Sequence, residues 1–224
     1  MILNMSSNQG IVTGTSHWMS GVERLLVFRP HASNKLFKKI GWLRTDFPDN
    51  RNEQGGILIG RYIKNAEGIP VQAEVLEILV AKTESRFPGY IEWDAMEEIR
   101  LQRQFFDIKE KLESSNSELE NEVSIIGWWH THPNGLPVFM SGTDMETQRQ
   151  KYFKPEKYSV VLNPHRGIWR AFAGRDAVEV PAIMLLGNES DNTGRTSSNK
   201  AQKKKKGNKN KKKANHSKKS KKRK

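Results

Sequence analysis

The apolar positions of this chain follow two kinds of pattern. Short runs rich in β-branched and aromatic residues predict strands over Arg24–Phe28, Ile57–Ile63, Val71–Val80, Val123–Trp129, Tyr158–Leu162, Ile168–Phe172 and Ala177–Ile183. Leu36, Phe37, Ile40 and Leu43 recur at helical spacing, as do Leu101, Phe105, Ile108 and Leu112. These predict one helix over Asn34–Leu43 and another from Asp94 to near Ser114, the second opened by an Asp cap with Glu97 three residues on. A third helix is expected from Ser141 to about Phe153. Turn and loop residues punctuate Thr45–Arg51, Gly68-Ile69-Pro70, Ser114–Glu120, Asn163-Pro164 and Gly174-Arg175-Asp176. No internal repeat is visible. Helices flanking a mixed sheet make one α/β domain over residues 22–186, long enough to bury an ordinary core. An extension, residues 1–21, precedes it, and a tail, 187–224, follows.

Charge sets the tail apart. The net charge of +13 suggests a nucleic-acid binder, yet 16 Lys or Arg and no acid lie between Arg195 and Lys224, leaving 22 basic residues against all 25 acids elsewhere. The domain itself is mildly acidic. Runs such as Lys203–Lys206 and Lys221–Lys224 hold no apolar residue to offset the entropy of ordering, so the tail is expected to be disordered. It reads either as a weak electrostatic contact for nucleic acid or an acidic protein, or as a solvated solubility tail. Met1–Ser6 has neither a basic nor an apolar leader region, and no stretch approaches a membrane span. The expectation is a soluble cytoplasmic protein without a membrane partner.

The absence of cysteine removes disulfides, thiolate metal sites and a cysteine nucleophile together, so chemistry must come from His, Asp, Glu and Ser. Candidates gather in Gly127-Trp128-Trp129-His130-Thr131-His132-Pro133 and Ser141-Gly142-Thr143-Asp144. Side chains alternate along a strand, so His130 and His132 share a face with Trp128, while Trp129 and Thr131 point the other way. One helical turn brings Ser141 and Asp144 to the same side. Two imidazoles, a carboxylate and an open fourth position are the ligand set of a catalytic zinc site rather than a closed structural one. Plainer readings exist for each piece: a histidine pair at a strand end can be a satisfied core pair, and Ser-x-x-Asp is also a capping box. Trp128 fits a groove wall or the core, and Trp129 the core. Gly55 and Gly56 serve either close backbone approach to a substrate or a turn. His17, His31, His165 and His216 show no partner spacing and are read as structural or exposed.

Taken in order, Glu53-x-Gly55-Gly56-x-Leu58-x-Gly60, the Gly127–Pro133 run and Ser141-x-x-Asp144 resemble the JAMM (JAB/MPN/Mov34) zinc metalloproteases, particularly the bacterial JAB isopeptidases. The likeness covers most of the domain and none of the tail. It implies a cytidine-deaminase-like α/β sandwich with one zinc per chain on His130, His132 and Asp144. It further implies a zinc-bound water as nucleophile, Glu53 as general acid/base and Ser141 as a donor to the oxyanion. The implied activity is that of an isopeptidase or peptidase acting after the carboxyl terminus of a ubiquitin-like protein or a related peptide. Partners implied are that protein, its conjugates and E1- or E2-like proteins, with antiviral defence as a setting for some bacterial relatives. The Pro133–Met140 loop is one residue longer than the family pattern. That is expected to leave ligation intact and to alter the wall of the substrate groove. An extended substrate tail is expected to add to a sheet edge beside the site. Two rivals stand against this reading. An amidohydrolase-like barrel would carry His-x-His near the start of a longer chain with more histidines downstream, and a metal-free scaffold or nucleic-acid adaptor would act through the tail.

Overall fold

The structure, a computed structural model, describes residues 11–13, 24–46, 52–82 and 93–187. The lysine-rich tail, most of the first 21 residues and residues 47–51 of the Thr45–Arg51 loop lie outside them. Among the described residues nine strands run in chain order as β1 (Ile11–Thr13), β2 (Leu25–Phe28), β3 (Gly55–Lys64), β4 (Pro70–Val80), β5 (Ser124–Thr131), β6 (Tyr158–Asn163), β7 (Ile168–Ala173), β8 (Val178–Val180) and β9 (Ala182–Leu185). They form one mixed sheet in the order β1-β9-β2-β4-β3-β5-β6-β7-β8. Helices α1 (Pro30–Ile40), α2 (Ala95–Ser115) and α3 (Gly142–Lys151) complete the described residues, with a 3-10 turn at Ser117–Leu119. The α/β sandwich with a mixed sheet is the architecture expected.

The side-chain alternation of β3 divides the interior. Leu58 joins Leu26, Phe28, Leu36, Ile40 and Trp129 in a core beneath α1. Ile57 and Ile59, pointing the other way, pack with Leu79, Leu101 and Val123 beneath α2. Trp129 is therefore core, as its parity along β5 required, and its indole N–H donates to the Leu79 carbonyl at 3.2 Å.

Element ends differ from the apolar pattern where a residue's backbone chemistry overrides it. Helix α1 starts at Pro30, whose fixed φ and missing N–H suit a first helical position, so it gains a turn with no large apolar residue to signal it. It stops at Gly41 in the left-handed conformation (φ 63°), leaving Leu43 outside and 60% exposed. The single strand expected over Ala177–Ile183 is two strands broken at Pro181, which has no N–H for a ladder. β8 extends β7, whereas β9 crosses to lie between β1 and β2. Ile11–Thr13, within the segment read as an extension, is thus an edge strand of the sheet.

Gly56, the second residue of β3, lies inside the ladder rather than in a turn, and the close approach there is made by the protein's own backbone. A Cβ on Gly56 would sit 1.8 Å from the Leu79 carbonyl oxygen and 2.9 Å from Trp129 Nε1. Because a paired carbonyl in a central strand cannot step aside, Gly56→Ala is expected to cost about 3 kcal/mol of unfolding free energy, read as a lowered urea midpoint.

The connection that matters for function is β5–α3–β6. β5 and β6 are parallel neighbours, so the chain must cross over between them, and α3 does so. A crossover of this kind leaves the amino end of its helix beside the carboxyl end of the first strand, where α/β proteins build ligand sites.

Candidate metal centre

Each site residue is brought in by a separate piece of this geometry. His130 lies on β5 opposite Gly55 of β3 and Val161 of β6. His132 follows the strand end, still tied to β6 by its N–H to the Leu162 carbonyl at 2.8 Å. Glu53 arrives through a clasp: Thr131 N–H donates to the Gln54 carbonyl at 2.8 Å, and Gln54 N–H donates to Thr131 Oγ1 at 2.9 Å. The clasp carries the β3–β5 pairing one step past the strands and leaves Glu53 Oε1 3.9 Å from His132 Nε2. Asp144 sits in the first turn of α3, where Ser141 and Asp144 form a reciprocal capping box. Ser141 N–H donates to Asp144 Oδ2 at 2.8 Å, and Ser141 Oγ accepts from Asp144 N–H at 3.2 Å. The capping reading and the ligand reading of this pair therefore hold together: the cap fixes the carboxylate's direction.

His130, His132 and Asp144 converge into a buried group able to hold a metal ion. The two Nε2 atoms are 3.2 Å apart, and Asp144 places Oδ1 3.3 Å from His130 Nε2 and Oδ2 3.4 Å from His132 Nε2. Ligands about 2.0–2.1 Å from a tetrahedral ion stand about 3.3 Å from one another, so these edges fit such an ion. The hydrogen bonding points the same way. His132 Nδ1–H donates to the Pro137 carbonyl at 2.7 Å, so the neutral ring presents a lone pair at Nε2. That lone pair faces a second imidazole nitrogen and a carboxylate oxygen, an arrangement that needs a cation or an added proton at its centre.

The electrostatics reflect this demand. Burial pulls the His130 pKa down against the opposing pull of Asp144, keeping the ring neutral. Burial opposes charge on His132 as well, but Asp144, the Pro137 carbonyl and Glu53 outweigh it and raise its pKa. On Asp144 burial is outweighed by the bonds from His130, His132 and Ser141, which hold the carboxyl well below the usual carboxylate range. Glu53, only 3% exposed, is pushed by burial up to about 7, against the pull of His132 and with the Asp144 charge adding to the rise.

The longer loop between His132 and Ser141 does not displace the ligands. Asn163 clasps it, donating from Nδ2 to the carbonyls of Asn134 (3.0 Å) and Leu136 (2.7 Å), while Asn134 N–H donates to His165 Nδ1 at 2.9 Å. Val138 packs into a small cluster with Val161 and Phe172, and Phe139 stands edge-on to His132 at 5.7 Å. Thr131, Asn163 and His165 were not legible as site residues. Their signals were a β-branched strand residue, an Asn-Pro turn and a histidine without partner spacing, none of which carries chemistry by itself. The expected sheet edge beside the site is also absent among the described residues. β5 is paired on both sides, and the edges of the sheet are β1 and β8.

Fold and site together define a mixed α/β domain with a three-ligand candidate metal centre at the carboxyl end of an internal strand. The chain matches the family of prokaryotic homologs of the JAB domain over residues 42–195, and it belongs to that family. It is also 31% identical over 112 residues to the COP9 signalosome complex subunit 5 of Candida glabrata. That match takes in 50% of this chain but 22% of the relative, so this chain spans only a small part of that protein. No helix among the described residues is long and apolar enough to cross a membrane.

Proposed function

We propose that this protein is a zinc-dependent isopeptidase or peptidase that cleaves after the carboxyl terminus of a ubiquitin-like protein or a related peptide. The observation that carries the reading is the convergence of His130, His132 and Asp144 with the Glu53 carboxylate 3.9 Å from His132. Membership of the JAB-domain family supports it. His130, His132 and Asp144 would hold the ion, which supplies a Lewis acid able to lower the pKa of water from 15.7 toward about 7.

The remaining work falls to the protein's own groups. Glu53 accepts a proton from the attacking water as the new C–O bond forms, and returns it to the leaving lysine amine as the C–N bond breaks. One group can serve both steps because burial raises its pKa above the ordinary carboxylate range, so that it takes up and gives back a proton more evenly than an exposed carboxylate would. Ser141 Oγ accepts from the Asp144 N–H, and its O–H, which otherwise serves the Asp144 carboxylate, would turn to donate to the oxyanion. Phe139, partly exposed and edge-on to the His132 ring, gives the site an apolar lip suited to a narrow extended carboxyl tail.

The direct test is a cleavage assay on a ubiquitin-like protein fused to a reporter or joined to lysine. Cleavage abolished by a chelator and restored by zinc is expected. A purified protein that retains no metal and cleaves none of a panel of such substrates would instead be a scaffold. Within the active protein, Ser141→Ala is expected to keep its zinc and lose about 100- to 1000-fold in turnover, with about 1 kcal/mol of stability lost from the α3 cap. Metal content, single-turnover kinetics and urea unfolding separate those three effects.

A further inference from the structure

The two histidines of the centre are oriented by different means. His132 has the support usual for a metal ligand, its Nδ1–H donated to a backbone carbonyl. His130 has none among the described residues: it is fully buried, and its Nδ1 finds no hydrogen-bond partner there. What touches its ring instead is Trp128, stacked at 4.5 Å between centroids and 12° between planes. The indole is in turn fixed at both ends. Its N–H donates to Gln148 Oε1 at 2.8 Å, and Tyr152 lies nearly parallel on it at 6.0 Å. Gln148 is completely buried, and its amide donates to the carbonyls of Tyr152 (2.9 Å) and Gly174 (3.0 Å), so the acceptor facing Trp128 cannot flip away without losing both. Gln148 also lies one helical turn after Asp144 on α3.

We infer that Trp128 and Gln148 are positioning residues for the metal centre, setting the plane of His130 by stacking where other ligating histidines are set by a hydrogen bond. This rests on the zinc reading above. One helix then supplies both the third ligand, Asp144, and the anchor that orients the first, so that α3 and β5 dock as a single preformed unit. A ring free to turn about χ2 would present its lone pair to the ion only part of the time. The affinity of the site falls by that fraction.

The measurement is zinc affinity by competition with a chromogenic chelator, beside the thermal stability of the metal-free protein. Trp128→Leu, which removes the plate, is expected to weaken zinc binding about 10- to 100-fold. Trp128→Phe, which keeps an aromatic plate but loses the N–H, is expected to lose about 3- to 10-fold, less than the full loss of orientation. Gln148→Leu should match Trp128→Phe, and the double variant should be no worse than either alone. Trp169→Leu is the control, since Trp169 is equally buried in the core beneath α1 and away from the ligands. It should lower stability and leave the zinc affinity of the folded protein unchanged. Affinity within twofold of wild type for Trp128→Leu overturns the inference, as does an equal loss for Trp169→Leu. If Trp128→Leu does not fold, unchanged affinity in Trp128→Phe overturns it. A wild-type protein that binds no zinc removes the metal reading itself and this inference with it.

Discussion

Asp144→Asn should strip the protein of its metal while leaving its fold in place. Asparagine keeps the shape of the side chain and a neutral acceptor for the Ser141 N–H, so the capping box survives. What disappears is the anion that faces both imidazoles, at 3.3 and 3.4 Å. With two neutral nitrogens and an amide oxygen left, zinc affinity should drop by more than the 10- to 100-fold that the loss of a supporting outer group costs. Zinc at a hundredfold excess over Kd should stabilise the wild-type protein by about 2.7 kcal/mol, a rise of about 5–10 °C in Tm for a domain of this size. Asp144→Asn should show no such rise at the same concentration, should contain no zinc after dialysis and should cleave nothing. Equal zinc content in the variant and the wild type would remove Asp144 from the ligand set.

The variant's metal-free form carries a second signature. The Asp144 pKa is depressed in the fold, so its carboxylate contributes stability at pH values above the carboxyl's ordinary titration, and that contribution drains away as acid protonates it. Metal-free Asp144→Asn should therefore be less stable than metal-free wild type near pH 7, with the gap beginning to narrow only as pH falls below the ordinary carboxyl range toward the depressed folded value. The sign is opposite to that expected for Glu53.

Much of this site could be read before the structure because two of its rules are local. Strand alternation put His130 and Trp128 on one face and Trp129 in the core, and one helical turn joined Ser141 to Asp144. Parity and periodicity need no tertiary information. Placing Glu53 depended on the family likeness, because the physical cause of its position is long-range. It is the Gln54–Thr131 clasp, across 77 residues of sequence, that sets it against His132. The Trp128–Gln148 bond and the Asn163 clasp on the longer loop are likewise pairings between elements whose adjacency only the crossover creates. The fold showed the same division. Strand interiors were legible from apolar runs. The start of α1 and the break between β8 and β9 were set by Pro30 and Pro181, through backbone constraints that an apolar pattern does not carry.

Glu53→Gln should separate binding from chemistry. The side chain lies near the ligands without belonging to the converging group of three, so the variant is expected to keep about one zinc per chain, as that ligand set provides. Turnover should fall by about 100- to 10,000-fold, the range that a positioned general acid/base contributes. Wild-type activity should rise with pH as Glu53 ionises. Burial sets its pKa at about 7 without metal, and a bound cation draws it lower, so the acid limb should be centred between the ordinary carboxyl range and 7. That limb should vanish from the residual activity of the variant. Stability gives an independent check in the metal-free protein. A carboxyl whose pKa is raised by folding takes up protons on folding, so stability is full below its unfolded pKa and declines as pH rises toward the folded value. Glutamine, which never ionises, is spared that decline. Metal-free Glu53→Gln should thus be more stable than wild type at pH 8, by on the order of 2–3 kcal/mol, and indistinguishable from it near pH 4. Urea unfolding at the two pH values measures the difference. Unaltered turnover would mean that Glu53 is not the proton carrier, and a variant less stable than wild type at pH 8 would mean that it is not held against its preferred charge.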